Sequence, residues 1–141
     1  MMSTVEVVLH DVHTIKACAE LDTSNGISLQ PVEGGEFTPE ISFRFLAEKD
    51  AEYPATRMGV ITVAGDTASG RFEVEVAGVF TMPDPGALPE PEKRMVVGHA
   101  LNLLFPFVRA EIRDITARVL KASLVAPPMD FTQGDVTEVQ D

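Results

Sequence analysis

The hydrophobic period of this chain changes once along its length, at a proline-rich stretch. Ahead of that stretch the apolar residues alternate. Ile41, Phe43 and Phe45 fall on one side of residues 40–45, with Ser42 and Arg44 on the other. Phe72, Val74 and Val76 likewise oppose Arg71, Glu73 and Glu75. A period of two is that of a half-buried strand. Residues 83–91 contain four prolines and Gly86, which predicts a surface loop without regular structure. Beyond it Leu101, Leu104, Phe105, Val108, Ile112, Ile115 and Val119 share one stripe of a helix of 3.6 residues per turn, with Arg109, Arg113, Asp114 and Arg118 turned away. Antiparallel strands followed by a helix define an α+β fold, not the strand–helix alternation of a parallel sheet.

Two shorter alternating runs, Val5-x-Val7-x-Leu9 and Ile15-x-Ala17-x-Ala19-x-Leu21, predict two N-terminal strands. Residues 56–64, rich in Val, Ile and Thr, end at Gly65-Asp66 and form a hairpin with the arm that begins at Arg71. Pro106 is expected to kink the helix, end it or start a second one. Residues 1–131 form a single domain in this reading, and residues 132–141, without an apolar period, form a disordered acidic tail. Val60, Ile61, Thr62 and Val63 present apolar groups to both faces of their strand. The second face therefore needs a cover, either another copy of the chain or a bound extended polypeptide.

Charge narrows the partners. The formal net charge is −11 over 141 residues, and residues 1–92 hold 16 acidic side chains against 5 basic ones. Nucleic acid and anionic membranes both require the opposite balance. No window reads as the roughly 20 apolar residues that span a bilayer, and no basic leader precedes an apolar run. A cytoplasmic location without membrane insertion is expected. Cys18 is the only cysteine, so no internal disulfide forms. His10 and His13 are three apart on a strand and so point to opposite faces, which does not make a metal site. Glu73 and Glu75 read as a solvated acidic face or a dock for a basic partner. No phosphate loop, nucleophile elbow or Cys-x-x-Cys is present, so neither an enzyme nor a cofactor is expected.

Leu104-Phe105-Pro106-Phe107-Val108-Arg109 resembles the Leu-Phe-Pro-aromatic-x-Arg signature of the SecB family of protein-export chaperones. Residues 39–45 are similar to the family's first long strand, Ala77-Gly78-Val79-Phe80 to its small-Gly-aliphatic-Phe strand end, and residues 125–131 to its Leu-Ala-Pro-x-x-Phe segment. The resemblance implies a four-stranded antiparallel sheet with a long C-terminal helix packed on it, assembled as a homotetramer, a dimer of dimers. It implies an ATP-independent holdase for non-native polypeptides, serving precursor export through the SecA motor. Some relatives instead protect an antitoxin. By position, Ile41, Phe43 and Phe45 match client-binding residues. Phe72, Val74 and Val76 match an oligomer interface, and Glu73, with Glu75 beside it, matches the motor dock. Arg71 stands where that docking face usually carries an apolar residue.

Overall fold

The computed structural model describes residues 7–23, 40–46, 56–67, 70–120, 124 and 130–132. Four antiparallel strands, β1 (Val8–Leu21), β2 (Glu40–Leu46), β3 (Thr56–Thr67) and β4 (Gly70–Thr81), form one sheet in the order β1-β4-β3-β2. A single-turn 3-10 helix at Pro85–Ala87 leads into helix α1 (Glu90–Ile115), which continues as a π-helical turn over Thr116–Leu120. The α+β expectation is met, with sheet first and helix after.

One prolonged strand replaces the two predicted at the N-terminus. The pairing of β1 with β4 shifts between Leu9 and Asp11 and again between Thr14 and Lys16. Each shift inserts one residue and reverses the alternation. Leu9, Val12, Ala17 and Ala19 therefore all pack against the core, although no single period of two connects them. Ile15, expected beside Ala17, sits at the second bulge and is 51% exposed.

The β3–β4 hairpin closes as predicted. Gly70 has φ 152°, a conformation open to glycine. A Cβ there would stand 2.0 Å from the carbonyl oxygen of Glu20 on the neighbouring strand. The proline stretch is more ordered than expected, because Asp84 accepts the backbone N–H of Gly86 at 3.0 Å and holds the 3-10 turn.

Helix α1 runs through Pro106 without a break. Pro106 is exposed, on the side of the helix turned away from the core, and its missing N–H removes one internal hydrogen bond. Leu101, Leu104, Phe105, Val108, Ile112 and Ile115 are buried, as their stripe predicts. The helix and its π-helical continuation span 31 residues with a most apolar window of mean hydropathy 1.3, long and apolar enough to cross a membrane by those measures alone. This corrects the expectation that no such window exists. Half of that window is buried inside the chain's own fold, as in a core helix. The tail predicted at residues 132–141 lies, apart from Thr132, outside the described residues.

Candidate functional site

The helix covers the sheet unevenly. Its backbone lies over β4 and β1, comes near β3 and makes no close backbone approach to β2 among the described residues, although Phe43 shares the buried cluster of the helix's apolar side chains. Among the described residues β2 is an edge strand, and its apolar side faces the same way as the helix-covered core, because Phe43 pairs with Ile61 and Ile61 with Val76. Phe43 is buried at 1% exposure, whereas Ile41 and Phe45 keep part of their surface. The rings of Phe43 and Phe45 meet edge to face with centroids 4.6 Å apart. Gly59 makes the space for them: a Cβ there would come within 3.1 Å of the Phe43 ring and 3.2 Å of the Phe45 and Phe80 rings.

The chain returns to one flank of α1 through two polar clasps. Thr116 Oγ1, fully buried, donates to the carbonyl of Ile112 at 2.6 Å and accepts the backbone N–H of Leu124 at 3.1 Å. Further along, Asn102 Oδ1 accepts the backbone N–H of Phe131 at 2.9 Å while its Nδ2 donates to Asp130 Oδ1 at 3.0 Å. The Phe131 ring is buried and meets the Phe105 ring edge to face at 5.0 Å. The hydroxyl and backbone N–H of Thr132 also donate to Asp130. These bonds, those from Thr132 foremost, hold the Asp130 carboxyl below its ordinary range.

On the other side of the sheet the charged residues of β4 are engaged. Lys16 Nζ lies 3.1 Å from Glu73 Oε2, and that hydrogen bond raises the lysine's pKa. Thr62 Oγ1 donates to Glu75 at 3.1 Å, and Arg71 stands 3.7 Å from Glu20. At the hairpin end of the sheet an open cleft of about 950 Å³ is bordered by Glu20, Glu40, Asp66 and Glu73, with Arg71 among them. The predicted motor-docking pair thus lies on an acidic face, away from the helix. Val60 and Ala77, paired across this face, are buried. Among the described residues no group of three His, Cys, Asp or Glu is placed to hold a metal.

The residues expected at an oligomer interface lie inside the subunit. Phe72, Val74 and Val76 are exposed by only 3%, 0% and 0%, within the chain's own core between sheet and helix. Among the described residues, large apolar side chains are exposed at Val8 and Ile15 on β1 and on the outside of α1. Met95, Leu103 and Phe107, spaced by multiples of four, are 45%, 41% and 46% exposed.

No family model matches this chain. Curated relatives do: the protein-export protein SecB of Psychrobacter arcticus and that of Psychrobacter cryohalolentis are each 31% identical to it over 117 residues. The matches cover 76% of this chain and 77% and 76% of those proteins. The chain belongs to the SecB family. The SecB of Alcanivorax borkumensis is 29% identical over 99 residues, 70% of this chain and 54% of that protein. The SecB fold is also seen in a Mycobacterium tuberculosis SecB-like chaperone bound to an antitoxin peptide. That structure superposes with TM-score 0.57 at 13% identity, covering 87% of each chain. A Streptococcus agalactiae protein of unknown function superposes with TM-score 0.54 at 11% identity, covering 91% of this chain and 98% of its own.

In this SecB-family chain the structure brings Ile41, Phe43 and Phe45 together on one edge strand, and Glu73 and Glu75 on the opposite face. Sequence reasoning missed Gly98, Asn102 and the packing of Phe131 on Phe105. One signal was available. An asparagine amid an apolar helical stretch is a poor helix former, retained where its amide has a partner.

Proposed function

We propose that this SecB-family chain is an ATP-independent holdase that keeps non-native polypeptides from aggregating and serves protein export. The observation that carries this reading is the apolar side of β2, at the edge of the described sheet and without close backbone approach from α1, where Ile41 and Phe45 stay partly open beside the buried Phe43. An edge strand has unpaired backbone groups for an extended chain, and its side chains offer apolar contacts without sequence selectivity. One such groove binds weakly, since association costs roughly 4–15 kcal/mol and one buried apolar side chain returns about 1.5–3 kcal/mol. Several grooves on one assembly add avidity. The exposed Met95, Leu103 and Phe107 stripe supports assembly through the outer face of α1, with a tetramer as its end state. The acidic face with Glu73 and Glu75 is the proposed dock for the SecA motor, and its charge suits a basic partner. The cytoplasm is the proposed compartment.

The test is native mass by light scattering, with and without a permanently unfolded polypeptide and with a folded control. A multi-subunit species that gains mass only with the unfolded chain supports the holdase. Indifference to the unfolded chain, together with tight binding of one dedicated partner such as an antitoxin, would replace it.

A further inference from the structure

We propose that Gly98, Asn102 and Phe105 form a peptide subsite on the flank of α1, occupied in this structure by the chain's own Asp130, Phe131 and Thr132. Its external ligand is an extended polypeptide segment carrying an aromatic side chain in the place of Phe131. The proposal rests on the holdase reading and names one recognition element within it.

Three features make this flank a receiver of backbone and ring together. Gly98 presents no side chain, and a Cβ there would stand 2.9 Å from the carbonyl oxygen of Phe131 and 3.0 Å from Thr132 Cα, so the visiting backbone lies directly on the helix. Asn102 accepts a main-chain N–H from the aromatic residue at 2.9 Å and donates at 3.0 Å to an acceptor on the residue before it. The first of these bonds is available from any residue except proline. Phe105 supplies the edge-to-face partner for one buried ring.

The position of the flank links it to β2. Thr14 on β1 donates to Glu111 at 3.1 Å, which turns the Glu111 side of the helix toward β1. At 3.6 residues per turn, Gly98, Asn102 and Phe105 fall on the other flank, the side on which the helix stops short of β2. Phe105 and Phe131 belong to the same apolar cluster as Phe43, with Ile41 and Phe45 packed against it. A client segment that reaches this flank would compete with the chain's own Phe131 for the ring pocket.

The experiment compares the full chain with its Phe131→Ala and Asn102→Ala variants. Each is titrated with a labelled unfolded polypeptide and with a free eight-residue peptide of this chain's residues 127–134. The Phe131→Ala variant is expected to bind the free peptide at one per subunit, while the wild-type chain does not, and a peptide with alanine in place of its phenylalanine should not bind. The Phe131→Ala variant should hold the unfolded polypeptide about three- to tenfold more tightly than the wild-type chain, whereas Asn102→Ala, which removes the acceptor of the visiting N–H, should show no such gain. A folded Phe131→Ala variant that ignores the peptide or gains no affinity for the unfolded polypeptide, or an Asn102→Ala variant that gains as much, would overturn the subsite. Loss of fold in both variants would also overturn it, since the segment would then be permanent core. If the peptide binds Phe131→Ala while no variant holds unfolded polypeptide, the subsite stands and the holdase reading fails.

Discussion

Asn102 reaches across 29 positions of sequence to receive the backbone N–H of Phe131 at 2.9 Å. One side chain in the middle of a helix thereby fixes where the end of the fold lies. Removing that acceptor by Asn102→Ala should cost about 1 kcal/mol for the Phe131 hydrogen bond alone. The loss should be local. Hydrogen exchange at the Phe131 amide is expected to accelerate while β4 amides keep their protection, and equal acceleration at both would contradict a local clasp.

The same clasp should respond to acid. Hydrogen bonds from Thr132 and then Asn102 lower the Asp130 pKa from its ordinary 3.8. A carboxyl with a depressed folded-state pKa contributes stability above its unfolded value and loses it as pH falls through the folded one. The clasp is therefore expected to be intact at pH 5 and above, and to loosen only below the usual carboxylate range. An NMR titration of the Asp130 carboxyl checks this, and a midpoint above 3.8 would refute it.

Val74 and Leu103 should separate folding from assembly. Val74 is buried under the helix while Leu103 is exposed on its outer face. A buried, unpaired carboxylate costs several kcal/mol, so Val74→Asp should unfold the subunit. Leu103→Asp should leave the far-ultraviolet circular dichroism unchanged and lower the native mass. A folded Val74→Asp protein of reduced mass would restore the interface first expected at Phe72, Val74 and Val76.

Gly70→Ala tests the hairpin. Its φ of 152° and the 2.0 Å separation from the Glu20 oxygen leave no room for a methyl group. Backbone strain of this kind costs roughly 1–3 kcal/mol, and the clash adds to it. A clear fall in Tm is expected, and an unchanged Tm would mean that the hairpin is not closed this way.

Gly59→Ala should act on β2 more than on global stability. The added methyl group would press on the Phe43, Phe45 and Phe80 rings at 3.1–3.2 Å, distances that require the rings to give by a few tenths of an ångström. The expected result is a modest stability change with weaker binding of an unfolded polypeptide. Unaltered binding would separate these rings from the client surface.

Much of the fold was legible because its strands and helix have clean periods. Ile41, Phe43 and Phe45 face one way as their alternation requires, and the α1 stripe is buried as its spacing requires. The N-terminal strand was not legible as one element. Bulges break its alternation at His10 and Ile15, and a bulge is stabilised by the partner strand, which local sequence does not contain. Pro106 left a kink, an end and a new start open, and local sequence does not choose among them; in the structure α1 runs from Glu90 to Ile115 through it.

The sequence by itself determined which residues are apolar, where period two gives way to 3.6, and the acidic balance of the first 92 residues. These follow from side-chain chemistry and local backbone geometry. Only the tertiary structure decided what covers each apolar face. Period places Phe72, Val74 and Val76 on one side of β4 but does not say whether the chain's own helix or a second copy lies over them. That depends on how α1 crosses the sheet, over β4 and β1 and short of β2. The crossing, set by packing between residues far apart in sequence, buries one stripe, leaves Ile41 and Phe45 partly open, and brings Phe131 back onto Asn102.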